Sequence, residues 1–235
     1  MEDFTHRSSE VEIMDTFSGT TVELETILKD INRVNKLLGG YKITLDAVFE
    51  MIGSVFKESY TILDMGCAEG TMLRKLADEG RKRNIKLYLI GVDLNGQSLE
   101  LAQKYSIDYP EITYQKADIL TTDFSQMNID VVMTTLTLHH FTDEGVVQFV
   151  NRFLKLASMG VVINDLERSP IAYYLFKAYS FFFIITEIAK KDGLLSVRRA
   201  FKMRELQDFA KQVKNATHHI RWKWAFRYIW VLKKK

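Results

Sequence analysis

The stretch Thr61-Ile62-Leu63-Asp64-Met65-Gly66-Cys67-Ala68-Glu69-Gly70 passes from an apolar run to a carboxylate and two glycines, and a helical pattern follows. A short apolar run closed by glycine reads as a buried strand, so the segment predicts a strand, a tight turn and a helix. Gly66 and Gly70 let the backbone turn sharply and lie close against a ligand. The helix after them presents unpaired N–H groups and the positive end of its dipole. Asp64, at the strand tip, is the first polar group such a ligand would meet.

Outward from this segment, strands and helices alternate. Residues 61–65, 86–94, 112–117, 129–135 and 160–166 are short runs rich in Ile, Val or Leu, and helix-period segments lie at about 69–81, 97–109 and 143–157. This is the pattern of a parallel sheet with helices on both faces. Residues 217–224 and 226–232 read as an antiparallel hairpin that closes the sheet. Before the first strand, 20–38 and 41–56 carry apolar residues at helical spacing, with Gly39-Gly40 expected to end the first of these helices. The expected fold is therefore α/β: a Rossmann-like, seven-stranded, mostly parallel sheet with an N-terminal helical preface. Its organisation is read as an N-terminal cap over 1–59 and a core over 60–235 with a helical lid inserted at about 168–200.

The lid is the unusual piece, since Tyr173, Tyr174, Phe176, Tyr179, Phe181, Phe182 and Phe183 fall in one window. Lys177, Ser180, Thr186 and Glu187 interrupt it, whereas a membrane-spanning helix needs about 20 mostly apolar residues. A helix over an apolar pocket is expected, with no stable membrane insertion and only peripheral contact left open.

At 235 residues the chain has room for one domain with a full core. Its net charge of +2, from 32 basic and 30 acidic residues, is too balanced for a general nucleic-acid surface. The cation and aromatic alternation of Arg221-Trp222-Lys223-Trp224-Ala225-Phe226-Arg227 fits a strand with one outward face better than an RNA contact. A single cysteine leaves no intrachain disulfide, and residues 1–10 are polar, so a cytoplasmic protein, monomer or homodimer, is expected.

In open parallel sheets ligands bind beyond the carboxyl ends of the strands. Here those ends carry Asp64, then Asp93 and Leu94, then Asp118 and Ile119, then Thr134 and Thr135. A carboxylate at the second strand end accepts two ribose hydroxyls, and Asp118 accepts from an exocyclic amine while Ile119 and Leu94 sandwich a purine. Just beyond lie His139 and His140, whose side chains take protons near neutral pH. As neighbours in sequence, only one of them is expected to face the site. No metal is expected, because no recognised ligand spacing is present.

This set resembles the class I, Rossmann-like, S-adenosylmethionine-dependent methyltransferases, whose first motif is written D-x-G-x-G-x-G; Ala68 stands at the central glycine. Within them it is similar to the ubiquinone and menaquinone methyltransferase-like branch and to O-methyltransferases of secondary metabolism. The resemblance covers about residues 60–166. It implies that Asp64, Gly66, Cys67 and Gly70 contact the methionine part of S-adenosylmethionine, Asp93 and Leu94 its ribose and adenine, and Asp118 and Ile119 the adenine edge. Thr134 and Thr135 would line the floor beneath the sulfonium. His139 and His140 are the candidate catalytic residues. Tyr41, Asn164, Tyr173, Tyr174 and Phe182 are the candidates for the acceptor side.

The implied reaction is methyl transfer to a small, largely apolar acceptor, a phenolic or enolic hydroxyl of a polyketide- or quinone-like molecule, leaving S-adenosylhomocysteine. Two alternatives stay open: C-methylation of a prenylated quinone at a membrane surface, and a module that binds the cofactor without turnover. A nicotinamide dehydrogenase needs G-x-G-x-x-G, and the corresponding positions here are Gly66, Ala68 and Thr71.

Overall fold

The structure, a computed structural model, describes residues 2–235; Met1, the first residue of the expected cap, lies outside them. Seven strands form one sheet: β1 (Ser59–Met65), β2 (Lys86–Asp93), β3 (Ile112–Lys116), β4 (Ile129–Thr135), β5 (Ala157–Leu166), β6 (Ala216–Lys223) and β7 (Arg227–Lys234). Their order is β3-β2-β1-β4-β5-β7-β6. The first five are parallel, and β7 enters antiparallel between β5 and β6.

The chain runs outward from β1 to β2 and β3, then returns to place β4 on the other side of β1. That reversal opens a crevice at the carboxyl ends of β1 and β4. Register sets its floor: Asp64 lies beside Gly91 of β2 and Met133 of β4, and Thr135 lies beside Asn164 of β5.

Helices cover both faces of the sheet. Helices α1 (Thr21–Leu37), α2 (Gly40–Ile52), α3 (Thr71–Lys82) and α4 (Gly96–Tyr105) precede β4 in sequence, and α5 (Asp143–Leu156) follows it. On one face Val48 and Met51 of α2 pack with Leu73 and Leu76 of α3; on the other, Phe149 and Phe153 of α5 pack with Trp230 of β7. Burying each such side chain contributes about 1.5–3 kcal/mol, which makes these two layers the main source of cohesion.

The joint between α1 and α2 is tighter than the pair of glycines suggests. Only Gly39 takes the left-handed conformation, at φ 69°, and Gly40 already begins α2. The lid divides into α6 (Pro170–Phe183) and α7 (Glu187–Arg199), followed by α8 (Met203–Gln212). The break falls where buried Asp30 of α1 accepts from the backbone N–H groups of Ile185 and Thr186, at 3.0 and 2.8 Å. A carboxylate there satisfies donors that the start of α7 leaves free, and it ties the lid to the N-terminal cap. Among the described residues no helix is long and apolar enough to cross a membrane.

Candidate active site

The crevice is the mouth of a cavity of about 1160 Å³, bounded by the strand tips, by α1 and the segment before it, and by the lid. At its polar end β1 stops in the predicted turn. Gly66 N–H and Cys67 N–H both donate to the Val92 carbonyl, at 2.9 and 3.1 Å, which folds the turn over the end of β2. Gly66 has φ 80°, and a Cβ there would lie 2.6 Å from Thr137 Oγ1. Gly70 has φ 75°, with the Tyr114 hydroxyl where its Cβ would be. Ala68 also adopts the left-handed conformation, at φ 47°. It is held there by its N–H, which donates to Asp93 Oδ2 at 2.8 Å.

Three carboxylates crowd this end. Burial, then the charges of Asp93 and Glu69, push the Asp64 carboxyl up to about 8, and Asp64 Oδ1 has no hydrogen-bond partner. Burial also raises Asp93, although its Oδ1 accepts from Asn95 N–H at 2.9 Å. A buried cluster of acids with an unsatisfied oxygen is matched to a cationic or hydrogen-bond-donating ligand. Cys67 Sγ, pushed well above the ordinary thiol range by burial and then by Asp64, is not a nucleophile.

Farther along the wall the two histidine rings lie against each other, tilted by 30° with centroids 4.4 Å apart. Both line the cavity, which corrects the expectation that only one would. A short 3-10 turn over Leu138–His140 lets successive rings lie side by side instead of on opposite faces. His139 is buried, with Nδ1 2.7 Å from Asp165 Oδ1 and Nε2 3.4 Å from Glu12 Oε1. Burial opposes its charge, yet Asp165 and Glu12 outweigh burial and raise it to about 9. His139 is therefore an imidazolium at neutral pH. His140 is partly open, with Nδ1 2.9 Å from Asp15 Oδ1. One atom each from Glu12, His139 and His140 lie within 4.8 Å of one another. Sequence spacing gave no sign of this cluster, because Glu12 and Asp15 sit in a polar N-terminal stretch that the fold carries across the site.

The chain from 62 to 160 matches the family model described as a methyltransferase domain. An uncharacterized methyltransferase of Oceanobacillus iheyensis is 24% identical over 74% of this chain and 76% of its own length. One from Mycobacterium tuberculosis is 33% identical over 35% of this chain and 38% of its own. The plantazolicin methyltransferase BpumL, solved with S-adenosylhomocysteine, superposes with a TM-score of 0.68 at 14% identity, over 90% of both chains. Magnesium protoporphyrin IX methyltransferase from Synechocystis superposes at 0.57 with 15% identity, over 86% of this chain and 87% of that one.

A methyltransferase domain over residues 62–160, in a fold shared with methyltransferases solved with S-adenosylhomocysteine, supports a class I S-adenosylmethionine-dependent methyltransferase. Of the positions expected to hold its cofactor, Asp64, Gly66, Cys67, Asp93, Leu94, Asp118, Ile119 and Thr135 line the cavity of this methyltransferase. Gly70 and Thr134 do not. Gly70 instead shapes the turn, and Thr134 is buried with its hydroxyl donating to the Met65 carbonyl at 2.8 Å, a tie between strands.

The acceptor side needs more correction. Tyr41 does line the cavity. Asn164 is buried within β5, its Nδ2 donating to the Gly40 carbonyl and to Thr44 Oγ1, both at 2.9 Å, so it pins α2 to the sheet. Tyr173 is buried outside the cavity, edge-on to Phe4 at a centroid distance of 5.4 Å. Tyr174 and Phe182 lie on the outer surface, 51% and 74% exposed. The lid residues that do line the methyltransferase's cavity include Ala172, Phe176 and Tyr179, spaced along one stripe of α6. Because α6 is apolar nearly all round, periodicity does not reveal which stripe faces inward.

Proposed function

We propose that this methyltransferase transfers the methyl group of S-adenosylmethionine to a phenolic or enolic hydroxyl of a small, largely apolar, polyketide- or quinone-like acceptor in the cytoplasm. The observation that carries this reading is one continuous cavity that joins the carboxylate-lined strand tips to the aromatic stripe of α6 by way of the histidine pair. Residues 1–59 and the lid act together as the cap over the core.

In this reading Asp93 accepts the ribose hydroxyls beside Leu94, Asp118 and Ile119 hold the adenine, and Asp64 with the turn from Gly66 faces the methionine part, Thr135 lying beneath. The acceptor oxygen attacks the methyl carbon as the carbon–sulfur bond breaks and its electron pair returns to sulfur. The proton of the hydroxyl passes to His140. His139, already charged, positions its neighbour instead of accepting that proton. Most of the rate gain comes from alignment and exclusion of water, which an aromatic lid supplies.

Calorimetric binding of S-adenosylhomocysteine, followed by mass spectrometry for an acceptor heavier by one methylene unit, tests the proposal. No binding of S-adenosylhomocysteine overturns it. Product formation with retained cofactor binding also excludes a module without turnover.

A second reading draws on a separate observation. Ile171, Phe181, Phe182, Phe183, Ile185 and Trp224 are all more than half exposed beside the lid, an apolar surface of the kind that meets another phase or partner. It fits C-methylation of a prenylated quinone at a membrane surface. Pelleting with anionic liposomes, abolished by Phe182→Ser with Phe181→Ser, would favour this reading; no pelleting favours the dissolved acceptor.

A further inference from the structure

Arg227, the first residue of β7, lines the cavity beside Asn35 and Tyr41 yet is only 2% exposed. Its Nη2 donates to Asn35 Oδ1 at 2.6 Å, while Nε and Nη1 have no hydrogen-bond partner. Burial lowers Arg227 to about 10, which leaves it charged at neutral pH. Asp165, whose charge acts on Arg227, does not complete it. Asp165 already accepts from Leu166 N–H and pairs with His139 Nδ1 through Oδ1, and it accepts from His139 N–H through Oδ2. A buried guanidinium with open donors is costly unless something supplies acceptors.

The seat is built for this group. A Cβ on Gly40 would lie 2.8 Å from Arg227 Cζ, so only glycine leaves room for the guanidinium against the start of α2. Asn35 and Gly40 belong to the same α1–α2 segment, and both serve Arg227.

We propose that Arg227 receives an oxyanion of the acceptor, so that the substrate is a hydroxylated apolar molecule that also bears a carboxylate or an equivalent anionic oxygen. This rests on the methyl-transfer reading above and narrows its acceptor class. A planar anion meets guanidinium N–H donors with charge-assisted hydrogen bonds, and such bonds are about twice as strong as neutral ones. The guanidinium thus fixes one end of the acceptor while the hydroxyl is presented to the histidine pair.

The test uses the full chain loaded with S-adenosylhomocysteine and two probes of nearly equal shape, a hydroxynaphthoate and the matching hydroxynaphthamide, with binding followed by ligand-observed NMR. The acid is expected to bind about tenfold tighter than the amide. Arg227→Gln should erase that preference while S-adenosylhomocysteine still binds, and Arg227→Lys should restore part of it. Equal affinity for the two probes in the wild-type protein, or no binding of either at millimolar concentration, overturns the proposal without any variant. A preference that survives in Arg227→Gln also overturns it. A naphthol without the acid group should bind as weakly as the amide; if it binds as tightly as the acid, Arg227 reads no additional anion and the proposal is overturned. Failure of S-adenosylhomocysteine to bind would instead remove the methyl-transfer reading, so the two failures are distinct.

Discussion

His139 Nδ1 lies 2.7 Å from Asp165 Oδ1 in a wholly buried contact, and Glu12 approaches the other ring nitrogen at 3.4 Å. The imidazolium is thus held between two carboxylates from distant parts of the chain. Removing one partner of such a pair strands a buried charge, so Asp165→Asn is expected to cost about 3–5 kcal/mol in urea unfolding.

The same contact sets a pH dependence. His139 is raised to about 9 from 6.5, so the folded state holds an extra proton between these values. Its contribution is full below about 6.5 and is lost as pH rises through about 9. Glu12 and Asp165 are held below their ordinary values, so their contribution is present above about 4 and fades as pH falls. Thermal unfolding should therefore show Tm falling on the alkaline side, with a shallower slope in Asp165→Asn.

Asp64 is expected to couple cofactor binding to protons. Burial, Asp93 and Glu69 raise it from 3.8 to about 8, so without ligand it holds a proton at neutral pH and lowers stability as pH rises through this range. The positive charge of the cofactor should depress it again and expel the proton. Affinity for S-adenosylmethionine should then increase as pH approaches 8, and calorimetry in buffers of different ionisation heat should show proton release. Asp64→Asn should remove both effects and weaken binding by about tenfold or more.

The turn offers a paired test of backbone strain. Gly66→Ala meets Thr137 Oγ1 at a φ of 80° and should destabilise by more than about 1 kcal/mol. Ala68 is the reverse case, a non-glycine residue at φ 47°. Ala68→Gly should be neutral or stabilising by up to about 1 kcal/mol, because relieved strain is partly offset by the greater freedom of glycine in the unfolded chain. Urea midpoints of the two variants decide the matter.

Gly193 of α7 packs under the Phe176 ring so closely that a Cβ would overlap it. Gly193→Val should drive that ring into the cavity. The expected outcome is at least about fivefold weaker binding of the hydroxynaphthoate, by loss of roughly 1 kcal/mol of apolar contact, with S-adenosylhomocysteine affinity unchanged.

The carboxylate-lined end of the cavity was far more legible than its lid end. Strands of a buried parallel sheet must be apolar runs, and the residues that stop them must be polar, so Asp64, Asp93 and Asp118 announce themselves by position. The lid obeys no such rule: α6 is apolar on several faces, and Tyr174 and Phe182 proved to face outward while Phe176 and Tyr179 face in. Arg227 reads as one more cation in a basic, aromatic alternation until pairing between β5 and β7 sets it beside Leu166 at the cavity wall.

Sequence alone determined the alternating sheet, the glycine turn and the row of acids, because each follows from spacing along a single stretch of chain. Tertiary structure decided which charges meet: Glu12 with His139, Asp30 with the start of α7, and Arg227 with Asn35 but with donors to spare. Electrostatic pairing depends on distance in space and on exclusion of water, and neither quantity is written in the order of the residues.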